Sequence, residues 1–221
     1  MTAGKDPAAR KLPGSLETNR RLDRWLRIHR DGTVTVFPGK VEIGQGILTV
    51  LMQIVAEELD IQPARVRLAP ADTSRSPNEG ITSGSRSIQE SGIALRYAAA
   101  EVRDLLMQQA AVRLGASLEQ LTVADGVITA RGGGSVTYWD LADDALLARE
   151  ATAQIAPKEA VLHTVVGTAV PRLDIPGKVT GAPSYVHDLE LPGMLHGRVV
   201  RPPGYSGRLV SLDAAEVQAM P

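Results

Sequence analysis

The sequence predicts an α+β fold, a mixed sheet with two packed helices, on three observations. Two small-residue turns each run into a long helical pattern: "VEIGQG" (41–46) precedes "ILTVLMQIVAEELD", and "TSGSRS" (82–87) precedes a second pattern beginning near Ile88. Short alternating apolar runs lie before and between these patterns, too brief for helices and suited to strands. From about residue 155 the chain becomes rich in Pro and Gly between short β-like runs.

Each element has its own local reason. "RWLRIHRDGTVTVFPGK" turns at Asp31-Gly32 between two β-rich runs, which predicts a hairpin with Val34 and Val36 facing inward. A helix follows from about Ile47 to Leu59, because Leu48, Leu51, Ile54 or Val55, and Leu59 recur at three- and four-residue spacing. It should end over Asp60-Ile61-Gln62-Pro63, since the residue before a proline is pushed out of helical geometry. Val66 and Leu68 alternate in a short strand, and 73–87 is an irregular polar loop. The second helix, roughly Ile88 to Leu114, carries a stripe of Leu95, Ala99, Val102, Leu105 and Leu106 and stops at Gly115, a natural C-cap. Ser117 to Gln120 has capping-box spacing, "LTVADGVITARGG" reads as strand-turn-strand at Asp125-Gly126, and "TYWDLADDALLARE" as a short helix. A last helical signal covers Asp213 to Met220. The expected organisation is a polar lead-in at 1–22, a first domain at 23–160 and a second at 161–221, with the boundary somewhere between 155 and 171.

Composition removes several classes of function. A formal net charge of -1 over 221 residues gives no reason to expect nucleic acid or an anionic membrane as partner. With no cysteine, the chain itself can hold neither a disulfide nor an iron-sulfur cluster nor a Cys-ligated zinc. The N-terminal stretch lacks the apolar core of an export signal, and no window approaches the roughly 18 apolar residues of a membrane span. The expected location is cytoplasmic, with export on a partner chain's signal as the variant.

The two turns before helices are the chemical candidates. A helix N-terminus offers unpaired N–H groups and partial positive charge, so small residues there let an anion come close. Gly44 and Gly46 supply open space and Gln45 an amide that donates and accepts; Ser83, Ser85 and Ser87 supply hydroxyls around Gly84. Arg86 reads equally as a phosphate contact and as a free surface cation. The plainer reading of both turns is helix capping, and neither is a Walker A loop or a dinucleotide fingerprint. His29, His163, His187 and His196 are too scattered to be metal ligands and read as surface or packing residues. Glu57-Glu58 and Asp143-Asp144 read as solvated helix faces, and Asp72 as the cap of a turn.

The stretch from "GKVEIGQG" to "TSGSRSIQESGIALRYAAAEVR" resembles the molybdenum-cofactor-binding region of the xanthine dehydrogenase and aldehyde oxidase family, in the branch typified by the large subunit of isoquinoline 1-oxidoreductase. "RLDIPGKVTGAPSYVHDLELPGMLHGRVVRPP" is similar to the start of that family's hammerhead domain. The resemblance covers most of the chain from about Leu22 onward and has both stretches in the family's order.

It implies a molybdopterin cofactor with molybdenum, usually the cytosine dinucleotide form, with Gln45 bonding the pterin side, Gly44 and Gly46 giving access, and Ser83, Gly84, Ser85, Arg86 and Ser87 around phosphate. It implies a small-molecule substrate, an N-heterocycle or aldehyde hydroxylated with water-derived oxygen. The implied partners are a small [2Fe-2S] subunit and the remaining part of the molybdenum-binding large subunit. The family's catalytic glutamate sits in a Gly-x-Gly-Glu segment that this sequence does not contain, so no catalytic residue and no metal ligand is assigned here. The hammerhead part is expected to be incomplete, from a split or shortened subunit, and to expose apolar surface. The other class of function is a non-catalytic scaffold or cofactor-insertion module, against which stands the pairing of the two turns.

Overall fold

A computed structural model describes residues 11–182 and 185–220. The chain divides into two compact units, Met1–Pro176 and Gly177–Pro221.

In the first unit the sheet core begins with β1 (Leu26–Ile28) and β2 (Val34–Val36), an antiparallel hairpin in which Ile28 faces Val34. The predicted turn forms: Gly32 takes φ 86°, and Asp31 accepts the Thr33 N–H at 3.1 Å. Val34 and Val36 are fully buried. Helix α1 (Ile47–Leu59) then crosses over to β3 (Val66–Leu68), which pairs with β2 in parallel, as a connection through a helix permits. Leu51, Val55 and Leu59 of α1 join Val34, Val36 and Val66 in one core. The sheet is therefore mixed, and the class is α+β.

The long helix α2 (Ile93–Leu114) packs on α1 and buries Leu95, Ala99, Val102 and Leu106 of the expected stripe, ending at Gly115 with φ 62°. A second, antiparallel sheet follows: β4 (Leu121–Ala124), β5 (Val127–Ala130) and β6 (Ser135–Thr137). Asp125 and Gly126 both take positive φ, 48° and 74°, as a two-residue type I′ hairpin requires. The short helix α3 (Asp144–Leu147) starts at Asp143, whose side chain accepts the Ala145 N–H at 2.9 Å.

Three sequence expectations are corrected. The second helix does not begin as α-helix at Ile88: Ser87–Gly92 is a π-helical turn, and regular α-helix starts at Ile93. The wider turn meets a backbone close to Gly14, where even a Cβ would lie 2.4 Å from the Glu90 carbonyl oxygen. Helix α1, by contrast, ends at Leu59 as expected: Asp60 adopts a left-handed φ of 54°, and Gln62 is extended before Pro63. The β-like runs after residue 155 are not strands among the described residues. Alternation provides one apolar face, but a strand also needs a neighbour for its N–H and C=O groups. Among the described residues of the second unit only the 3₁₀ turn at Val186–Asp188 and helix α5 (Ala215–Gln218) are regular apart from the end of α4 (Ile175–Val179), and Leu195, Val199, Val200 and Val210 are exposed.

The third correction concerns Glu57 and Glu58, which are not solvated. Their exposures are 2% and 1%. Glu57 Oε2 accepts the backbone N–H groups of Thr164, Val165 and Val166 at 2.8, 2.6 and 3.0 Å. Glu58 accepts the Lys158 N–H at 3.0 Å and Arg96 Nε at 3.0 Å. Buried Glu101 on α2 does the same for Thr152 and Ala153, with N···O distances of 2.9 to 3.1 Å. Helix-borne carboxylates thus take up backbone donors of the 152–166 segment that no sheet ladder satisfies.

Candidate functional site

Two turns far apart in sequence stand side by side. The Val41 N–H donates to Thr82 Oγ1 at 3.1 Å, the Gly39 N–H to Glu79 Oε2 at 2.7 Å, and between them Lys40 Nζ donates to the carbonyl oxygens of Glu79 (2.6 Å) and Ile81 (3.1 Å). The entry to α1 is thereby laced to the polar loop before α2. Sequence reasoning missed Lys40 and Glu79, since a lysine after "FPG" and a glutamate in a Ser/Asn-rich loop look like surface residues.

The first turn is built from its own side chains. Gly44 and Gly46 take φ of 108° and 81°, values that exclude most other residues. Glu42 Oε1 accepts the N–H groups of Gly44 (2.9 Å) and Gly46 (2.8 Å), and its Oε2 that of Leu48 (3.4 Å). An internal carboxylate thus occupies the start of α1. Arg172 braces it, with Nη2 3.5 Å from Glu42 Oε1 and Nη1 donating to the Gly44 carbonyl at 3.0 Å. Gln45 is exposed, but its amide is engaged within the turn: Oε1 accepts the Ile43 N–H at 2.7 Å and Nε2 donates to the Val41 carbonyl at 2.9 Å. To meet a ligand it must exchange one of these bonds.

The second turn is more open. Ser83, Gly84, Ser85 and Arg86 are exposed and Ser87 is half-buried; Gly84 and Ser85 take φ of 63° and 58°. A left-handed serine is uncommon and costs about 1–2 kcal/mol. The hydroxyls of these three serines form no hydrogen bond among the described residues, and Arg86 lies 3.7 Å from Glu90, a loose exposed pair. Unspent hydroxyls and a guanidinium held only by a loose, exposed pair suit an anion, whereas the amides at the start of α1 are already spent on Glu42. The donor set therefore fits a ligand with phosphate at 83–87 and a neutral polar edge at Gln45.

A cavity of about 370 Å³ adjoins the lacing, lined by Val41, Asp72, Thr73, Ser76, Asn78 and Glu79. Its acidic lining is unsuited to phosphate, and none of the residues at 44–46 or 83–87 lines it. Asp72 acts as a turn cap, as expected, accepting the Ser74 N–H at 2.7 Å. The hydrogen bonds of the Ser74 hydroxyl and N–H hold its carboxyl below the usual range. His29 bonds Thr35 at 2.8 Å, and His163 lines an apolar cavity beside Arg96. Asp143 caps α3 and Asp144 pairs with Arg27. No group of three or more potential metal-binding His, Asp or Glu side chains occurs among the described residues, nor any helix long and apolar enough to cross a membrane.

The molybdopterin cofactor-binding domain family matches residues 8–167. A nicotinate dehydrogenase subunit of Pseudomonas putida is 39% identical over the whole chain, which spans 19% of that protein. A membrane-bound aldehyde dehydrogenase (pyrroloquinoline-quinone) of Gluconacetobacter polyoxogenes is 31% identical over 96% of the chain and 28% of its own length. The beta chain of isoquinoline 1-oxidoreductase from Brevundimonas diminuta is 33% identical over 79% of the chain and 28% of its own length. The chain thus spans between a fifth and three-tenths of these relatives.

Proposed function

Because the chain belongs to the molybdopterin cofactor-binding domain family, we propose that it is the cofactor-holding segment of a molybdenum hydroxylase that binds molybdopterin as the cytosine dinucleotide. The observation that carries the reading is the lacing of Val41 to Thr82, which sets the Gly-Gln-Gly turn beside the Ser-rich turn. Gln45 would bond the pterin edge with Gly44 and Gly46 leaving room, and Ser83, Gly84, Ser85 and Ser87 would cradle phosphate with Arg86 adding charge. When bound, the cofactor supplies the redox chemistry that hydroxylates an N-heterocycle or aldehyde with oxygen from water, its electrons leaving through a [2Fe-2S] subunit. This chain's share is binding and orientation. The exposed turns need a second protein surface to bury such a ligand, consistent with a larger subunit around them. We place the assembly in the cytoplasm and read 161–221 as the beginning of a hammerhead domain.

Purified with its natural partners and treated with acid, the protein should release close to one equivalent of cytidine monophosphate per chain. No released nucleotide from an intact complex would end the dinucleotide reading. Gln45→Ala should lower molybdenum content without changing the thermal unfolding temperature by more than a few degrees, since the residue is exposed. Unchanged molybdenum content in that variant would remove Gln45 from the site.

A further inference from the structure

Lys40 is 1% exposed, among the most completely buried large side chains of the protein. A buried ammonium persists only with its donors satisfied and its charge opposed. Here Nζ donates to the carbonyls of Glu79 (2.6 Å) and Ile81 (3.1 Å) and to Glu90 Oε2 (2.9 Å), which uses all three protons. The two carbonyls flank Gly80, whose φ of 64° bends the chain so that both face one point. Glu90 comes from the π-helical turn Ser87–Gly92, directly after the Ser-rich segment. One ammonium therefore joins the segment leading into the Gly-Gln-Gly turn to both ends of the Ser-rich turn. Glu79 closes the arrangement by accepting the Gly39 N–H at 2.7 Å and the Ser91 hydroxyl at 2.9 Å.

We propose that Lys40 is a positioning residue: its buried ammonium sets the separation and register of the 41–46 and 82–87 turns, and so the spacing at which a cofactor spanning them is held. The inference deepens the cofactor-binding reading and rests on it. A role limited to neutralising Glu90 predicts something different, because removing that carboxylate together with the lysine would then restore the site. If the carbonyl tethers matter, it would not.

The test compares the wild type with Lys40→Met and with Lys40→Met combined with Glu90→Gln, each purified with its natural partners. Three quantities are read: amide hydrogen exchange over 79–87, thermal unfolding, and acid-released nucleotide per chain. Lys40→Met should exchange at least about tenfold faster over 79–87 and retain less than about half the nucleotide. The double variant should regain most of the thermal stability but neither the protection nor the nucleotide. Where Lys40→Met does not accumulate, Lys40→Gln, able to serve one carbonyl, carries the same comparison. Wild-type protection over 79–87 in the single variant, or recovery of nucleotide in the double variant, would overturn the positioning role. A wild type that releases no nucleotide, while Lys40→Met still loses protection, would overturn the cofactor reading and with it the ligand-spacing role, but would uphold the tether.

Discussion

Glu57→Leu is expected to destabilise the protein by about 3–5 kcal/mol, the usual cost of removing one partner from a buried charged network. The leucine would fill much of the same space, so the loss comes from polar groups rather than from a cavity. Three N–H groups at Thr164, Val165 and Val166 lose their common acceptor, and Lys158 Nζ loses a carboxylate 3.5 Å away. A fully buried donor left without a partner costs about 1–3 kcal/mol; Thr164 is exposed and Val165 and Val166 are half-buried, so water recovers part of that cost here. Glu57→Gln, retaining one acceptor oxygen, should cost less than the leucine. Denaturant unfolding of the three proteins at neutral pH checks the order; a leucine variant within about 0.5 kcal/mol of wild type would show that 164–166 is not anchored by this side chain.

The same carboxylate sets a pH dependence. Burial alone would push its pKa up, but the backbone N–H groups of Val165, Val166 and Thr164, with the Lys158 charge, outweigh burial and hold it below the ordinary value of 4.5. A group with a depressed folded-state pKa contributes its stability above the unfolded value and loses it as pH falls through the folded one. Wild type should therefore lose stability below about pH 4.5 more steeply than Glu57→Gln, whose side chain does not titrate.

What the sequence made legible was local. The bounds of α1 follow from its own apolar spacing, the hairpins from Asp-Gly pairs, and the end of α2 from Gly115, because each depends on neighbours within a few residues. The burial of Glu57 does not, because its partners lie more than a hundred residues along the chain and nothing in "VAEELD" announces them. Strand β6 is equally silent: three residues after a triple glycine become a strand only because β5 offers an edge. At the candidate site the turns were legible as turns, through glycine and serine. The direction of the Gln45 amide was not, since it depends on whether the Ile43 N–H and the Val41 carbonyl are nearer than any ligand. Nor was the carboxylate of Glu42 at the start of α1, although an acidic residue just before a glycine turn is a signal that could have suggested it.

Gly39→Ala is expected to have the other large effect, about 1–3 kcal/mol or more, although it adds one methyl group. The new Cβ would stand 2.2 Å from the carbonyl oxygen of Pro77 and 2.8 Å from Glu79 Cγ. The nearer obstacle is backbone, next to a ring that restricts its own φ, so it cannot swing aside as a side-chain tip would. The 77–81 loop must move as a body. That movement pulls Glu79 Oε2 from the Gly39 N–H and the carbonyls of Glu79 and Ile81 from Lys40, because all three bonds cross the same gap. Gly132→Ala is the matching control, since a Cβ there meets nothing within 4 Å and φ is not positive. Thermal unfolding should separate the two variants by several degrees, and amide exchange should rise over 77–82 only in Gly39→Ala. Equal stability in both would mean that the loop yields freely to the added methyl. The spacing of the two turns would then be set by Lys40 through flexible tethers rather than by close backbone packing, and Gly39 would have no part in holding the site.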